Sequence, residues 1–318
     1  MYDFTITQCR WENVNLDSVS EFIYGNKVGI YRSVNDAESI KTYLARIQER
    51  FPSEVVFQVM KGKMLCGWMT LGRETETVAE FGRWQPIVKK DNSEDQIANL
   101  LLQHALKYAE ENGIVRIEGL FNGVDEITLA DYYRSSRWFI SIGFPKLEDS
   151  GYMLLNLTMK NIERRGLPEG FTVVPVEDVD ETKIYDCYYN SFADGEDREF
   201  LDMEEEQRKE RYVKSVHNEK MNPELSSVLR VGQEIIGFAF VLDRGDEQHI
   251  DRFGILGEYR GRGLAKSYLL YLMKLAEEQG HTRLSLGVDL DNTSGLNLYK
   301  NVGFELHSRT IIHSWNKK

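Results

Sequence analysis

The stretch Arg252–Gly280, "RFGILGEYRGRGLAKSYLLYLMKLAEEQG", decides how the chain is read. A strand-like run gives way to arginine alternating with glycine in "RGRGLA" (Arg260–Ala265). An amphipathic helix then follows, with Leu264, Tyr268, Tyr271, Leu272 and Leu275 at helical spacing and a C-cap expected at Gly280. Strand, tight turn and helix start gather backbone N–H groups around one point, because the first amides of a helix lack an intrahelical acceptor and its dipole is positive there. Gly261 and Gly263 permit left-handed backbone angles and a close approach of phosphate oxygens, and Arg260 and Arg262 add charge. The stretch predicts an anion site. No GxxxxGK[ST] occurs, and Lys266 breaks the GxGxxG pattern, so neither a P-loop nor a Rossmann turn is expected.

Working outward, the chain reads as one α/β pattern written twice. "FTIT" (Phe4–Thr7) returns as "FTVV" (Phe171–Val174), and "KGKMLCGWMTL" (Lys61–Leu71) returns as "VGQEIIGFAFV" (Val231–Val241). The latter pair predicts hairpins turning at a glycine, with Gly67 and Gly237 interrupting the returning strand. "RWQPIV" (Arg83–Val88) corresponds to "FGILGE". The first helix carries Ile97, Leu100, Leu101, Ala105 and Tyr108 and ends at Gly113. The strands "IVRIEGLF" and "HTRLSLGV" come next, and the halves close on "FISIGF" (Phe139–Phe144) and "YKNVGF" (Tyr299–Phe304). Two α/β domains are expected, 1–160 and 161–318, with the boundary in the charged "KNIERRGLPEG" (Lys160–Gly170).

The chain has 318 residues, of which 51 are acidic and 39 basic, for a net charge of −12. Such a surface repels phosphate backbones and anionic membranes, so no nucleic-acid or membrane partner is expected and a cationic amine suits it better. The acidic run Asp194–Glu210 reads either as a solvated face or as a negative wall beside an acceptor pocket. Cys9, Cys66 and Cys187 are far apart and read as reduced thiols of a cytoplasmic protein. The six histidines show no metal-ligand spacing, and no metal is expected. "MYDFTITQCRWEN" has neither a basic start nor an apolar core, so no signal peptide is expected.

"RGRGLA" resembles the R/Q-x-x-G-x-G/A signature of the GCN5-related N-acetyltransferase (GNAT) superfamily, with Arg260, Gly263 and Ala265 in its fixed places. "NTSGLNLYKNVGFE" (Asn292–Glu305) is similar to that family's N-x-x-A-x-x-L-Y-x-x-x-G-F segment. Asn292, Leu298, Tyr299, Gly303 and Phe304 agree with it, and Gly295 replaces the usual alanine. The resemblance implies two GNAT-like domains in tandem, each a mixed, mostly antiparallel sheet with helices on both faces. It also implies acetyl-CoA as co-substrate, bound where two central strands splay. The pyrophosphate would rest on the amides of Arg260, Gly261, Arg262, Gly263, Leu264 and Ala265. The pantetheine arm would pair with the strand at Phe253 and Ile255 and meet Asn292.

The resemblance further implies direct transfer of an acetyl group to a primary amine of a small molecule or peptide. Tyr299 is then the general acid for the departing thiolate. Asp251 is the candidate base, with His249 behind it. The first copy reads "SEDQIA" (Ser93–Ala98) at the loop and has Phe139 at the tyrosine position, so it is expected to keep the fold without the cofactor site. A non-catalytic acyl-CoA sensor or scaffold is the alternative.

Overall fold

A computed structural model describes residues 4–159, 166–195, 197, 200–201 and 203–317. Part of the expected boundary segment (160–165) and part of the acidic run (196, 198, 199 and 202) lie outside the described residues. The chain divides into two compact units, one from residues 1–149 with 308–318 and one from 150–307.

In the first unit β1 (Thr5–Arg10), β2 (Val55–Lys61), β3 (Met64–Arg73) and β4 (Val78–Phe81) pair antiparallel in that order. The short β5 (Ile87–Val88) pairs with β3, and β6 (Arg116–Asn122) runs parallel to β4. The helices are α1 (Leu16–Gly25), α2 (Ala37–Arg50), α3 (Glu94–Glu111) and α4 (Leu129–Ser141). Asn15 and Asp36 cap α1 and α2 through their side-chain oxygens. Trp11, Trp68, Trp84, Phe57, Phe81, Phe121, Phe139 and Phe144 are fully buried and fill its core.

The second unit repeats this order. β7 (Lys146–Asn156) supplies its last seven residues, and β8 (Phe171–Pro175), β9 (Ser227–Val231), β10 (Glu234–Asp243) and β11 (Gln248–Ile255) form the antiparallel part. β12 (Arg283–Asp289) runs parallel to β11. The helices are α5 (Glu181–Ala193), α6 (Glu205–Val216), α7 (Leu264–Glu278) and α8 (Thr293–Val302). Alternation along β10 sends Phe238 and Phe240 to the face covered by α5 and α6, with Tyr188 and Tyr212. Ala239 and Val241 go to the face covered by α7. Each unit is thus a mixed, mostly antiparallel sheet, and in the second helices cover both faces, as expected.

The units do not divide at 160/161. Ser150–Asn156 of β7 pairs antiparallel with β12 and completes the second unit's sheet. The C-terminal strand β13 (Glu305–Asn316) pairs through Thr310–Asn316 with β6 and completes the first. Each half gives its last strand to the other half's sheet. Backbone pairing fixes this exchange, and the side-chain pattern of a strand does not say which edge it joins.

Candidate active site

In the second unit the chemistry collects around β11. Among the described residues its pairing with β12 covers Gln248↔Leu284, His249↔Ser285 and Ile250↔Leu286, and beyond Ile250 the edge facing β12 has no strand partner there. On the other edge, Phe240 pairs with Arg252 but Val241 with Ile250, so Asp251 is the extra residue of a β-bulge. A bulge bends its strand, which is how the two parallel strands come apart at this point. Leu256 N–H donates to Ile236 C=O of β10 at 2.9 Å, so by alternation the peptide groups of Phe253 and Ile255 point to the free edge. Their side chains pack away from it, Phe253 against Tyr268 with ring centres 5.5 Å apart.

After β11 the chain turns through Gly261 and Gly263, with φ of +73° and +75°. These angles belong to the left-handed region that a side chain disfavours, and Gly263 is the N-cap of α7. A Cβ at either glycine would meet nothing within 4 Å, so the space beside both glycines is open. The first intrahelical bond is Ser267 N–H to Gly263 C=O at 3.1 Å. The preceding amides, from Gly261 to Ala265, have no helical carbonyl to meet and can receive an anion.

Arg260 does something other than supply loose charge. Its Nε donates to Ile255 C=O at 2.9 Å and its Nη1 to Asp194 C=O at 2.8 Å, while Nη2 donates to Ser191 C=O. Its own N–H donates to Gly257 C=O at 3.1 Å. The guanidinium therefore ties the end of α5 to the end of β11 and fixes the loop. It also takes the Ile255 carbonyl, which leaves the Ile255 N–H for a ligand at the free edge. Arg262 is exposed and lies over the Tyr259 ring, 5.5 Å from its centre.

Asn292 caps α8, its Oδ1 accepting from Gly295 N–H at 2.8 Å and from the Ser294 hydroxyl at 3.2 Å. Glycine at 295 has a local reason, since a Cβ there would lie 3.0 Å from the Asn292 amide. Tyr299 is half-buried against Phe304 and the core beneath α7, and its hydroxyl has no hydrogen-bond partner among the described residues. Burial pushes its phenol up to about 12.

Asp251 accepts a hydrogen bond from the Ser215 hydroxyl of α6 at 2.7 Å and faces Arg252 Nη1 at 3.6 Å. His249 is 7% exposed, and its Nδ1 lies 2.8 Å from the Ser285 hydroxyl. Ser285 spends its single proton on Glu247 at 3.0 Å, so Nδ1 of His249 carries a proton and Nε2 the lone pair. Burial, then Arg244, drives the His249 pKa down to about 4, with nearby Asp251 opposing the fall. Burial pushes Glu247 up, but hydrogen bonds from Tyr152 and Ser285 prevail and hold it below the ordinary range. Tyr152 stacks on His249, with centres 5.9 Å apart and planes 10° apart. Sequence reading missed Ser215, Glu247, Ser285 and Tyr152. Tyr152 was beyond its reach because it arrives on the exchanged strand.

The first unit holds none of this chemistry. Val88, paired with Gly67, stands where Ile255, paired with Gly237, stands in the second unit. The expected match of "RWQPIV" to "FGILGE" is therefore shifted. The intervening Gly82–Pro86 leaves the strand, and Trp84 at φ +59° drops into the gap beside β6. Trp84 N–H donates to Leu120 C=O at 3.0 Å, and its indole donates to Asn122 C=O at 2.7 Å. At the start of α3, Asp91 accepts the Ser93 N–H at 2.9 Å and places a carboxylate where the other loop is open to an anion. Phe139 is fully buried in the core.

Residues 183–304 match the family profile described as "Acetyltransferase (GNAT) family". The second half carries a GNAT domain. A mycothiol acetyltransferase of Corynebacterium efficiens is 31% identical over 83 residues, 26% of this chain and 28% of that relative's length. The structure of a GCN5-related N-acetyltransferase from Sphaerobacter thermophilus superposes at a TM-score of 0.57 and 14% identity, over 98% of this chain and 95% of that one. The GCN5-related glucosamine N-acetyltransferase region of a fungal multi-domain GH3 beta-N-acetylglucosaminidase gives 0.55 at 12% identity, over 99% of this chain and 38% of that one. At these identities the likeness concerns the fold, and it spans both units. GNAT acetyltransferases take their acyl group from acetyl-CoA. No group of His, Cys, Asp and Glu side chains that could hold a metal occurs among the described residues, and no helix there is long and apolar enough to cross a membrane.

Proposed function

We propose that the chain is an N-acetyltransferase that moves an acetyl group from acetyl-CoA directly to a primary amine, using one site in the second unit. The observation that carries this reading is the free edge of β11 beyond Ile250, followed at once by the open amide cradle of Gly261 and Gly263. Acetyl-CoA supplies an activated thioester, whose carbon–sulfur bond breaks as the acceptor nitrogen bonds to the carbonyl carbon. Gly261, Arg262, Gly263, Leu264 and Ala265 hold the pyrophosphate through their amides, and Arg260 holds the loop in that shape. Phe253 and Ile255 line up the arm along the strand, with the Ile255 N–H as a donor to the thioester oxygen. Asn292 has its Nδ2 left to meet the arm.

Asp251 takes the proton that the acceptor ammonium must lose, and His249, neutral above about pH 4, stands behind it with a lone pair on Nε2. Tyr299 donates its phenolic proton to the departing thiolate and regains one from solvent. A phenol raised to about 12 stays protonated across the neutral range, as an acid must. The first unit, closed by Trp84 and Asp91, serves as a GNAT-like copy that binds no CoA.

Free-thiol release from acetyl-CoA with a panel of primary amines tests the reading. Turnover that disappears on changing Gly263 and Tyr299 supports it. CoA binding with no turnover of any amine would favour a non-catalytic acyl-CoA sensor instead.

A further inference from the structure

We propose that the acceptor is an amino-acid-like zwitterion, its ammonium beside Asp251 and its carboxylate on Arg252. This rests on the acyltransferase reading of the same site and names its substrate class. Adjacent strand residues ordinarily point to opposite faces. The bulge at Asp251 cancels that alternation, because Asp251 is the unpaired residue and Arg252 pairs with Phe240. Asp251 reaches Ser215 of α6, while the Arg252 side chain meets the Tyr188 hydroxyl of α5. Both helices cover one face of the sheet, so an acid and a base stand side by side beside the free edge.

The two charges form only a loose ion pair. Asp251 Oδ2 accepts from Ser215, but Oδ1 stands 3.6 Å from Arg252 Nη1, beyond hydrogen-bond reach. Arg252 Nη1 donates to the Asp251 carbonyl at 2.7 Å. Arg252 Nε is buried without a well-aligned acceptor among the described residues, and the polar group its side chain meets there is the Tyr188 hydroxyl. A guanidinium so loosely paired favours a group that only accepts. A carboxylate does so, and its two oxygens match the planar fork of a guanidinium. A plain amine or polyamine would set its charge against Arg252. The net acidity of the chain suggests a cationic acceptor, but the charge at this face differs from the average.

The test measures kcat/KM by free-thiol release for several L-α-amino acids and for the amine each gives on decarboxylation. CoA affinity is measured alongside, on the full chain and on Arg252→Gln and Arg252→Lys. We expect a preference of at least tenfold for the amino acids. Arg252→Gln should abolish it with CoA affinity within twofold, and Arg252→Lys, which keeps the charge and loses the fork, should restore part of it. Equal or better turnover of the amines, survival of the preference in Arg252→Gln, or no amino acid turned over by a chain that binds CoA would overturn the proposal. Failure to bind CoA would instead remove the acyltransferase reading beneath it.

Discussion

The indole of Trp84 donates to the carbonyl of Asn122 at 2.7 Å, and this bond shuts in the first unit the gap that the second leaves open. Trp84 is fully buried in a left-handed backbone conformation, and a Cβ at Gly29 would lie 1.9 Å from its ring. Trp84→Ala removes a large packed side chain, so it should cost about 3–5 kcal/mol of stability. It should not create a second CoA site, because the Asp91 carboxylate still holds the Ser93 amide at the start of α3. Denaturant unfolding gives the first result and CoA titration of the variant gives the second.

Gly263→Ala forces a side chain into φ +75°, at a local cost of roughly 1–2 kcal/mol. The loop can escape only by moving the amides that form the cradle. CoA affinity should therefore fall at least tenfold while the melting temperature changes little. Unchanged affinity would move the pyrophosphate elsewhere.

Tyr299→Phe keeps the ring on Phe304 and removes only the proton donor. We expect kcat to fall about 10²–10⁴-fold with CoA affinity retained. Because the phenol lies near 12, the wild-type rate should show no alkaline loss from Tyr299 below about pH 10. Unaltered kcat in the variant would exclude Tyr299 as the acid.

His249 has a folded pKa near 4 against about 6.5 when unfolded. Between those values the unfolded chain binds the extra proton, so stability rises with pH across that window and is lost as pH falls through it. His313, buried between Tyr132 and the Phe144 carbonyl, is shifted the same way by burial. His249→Gln should flatten part of the acid limb of melting temperature between about pH 6.5 and pH 4. A parallel limb in the variant would contradict the assignment.

The exchanged strands predict how the chain can be cut. A chain stopped after His307 loses the strand that pairs with β6, so the first unit should melt although the deletion lies far away in sequence. Fragments 1–160 and 161–318 should be unstable apart and gain protection from proteolysis when mixed. Two independently stable fragments would contradict the exchange.

Much of this was legible in the sequence, for local reasons. Gly261 and Gly263 mark a turn that needs left-handed angles, the glycine turns mark both hairpins, and the spacing of Leu264, Tyr268 and Leu272 marks α7. Each signal lies within a few residues. What escaped depends on distant partners. Arg260 reads as free charge until α5 brings the Ser191 and Asp194 carbonyls to it. The bulge that turns Asp251 and Arg252 to one face is visible only in the pairing with β10. Trp84 reads as a strand residue until its backbone leaves the sheet.

Calorimetric titration of the full chain with CoA tests the central claim most directly. We predict one site per chain, lost or at least tenfold weaker in Gly263→Ala and unaffected by Asp91→Ala in the first unit. No binding, two equal sites, or a site that Gly263→Ala leaves intact would contradict it.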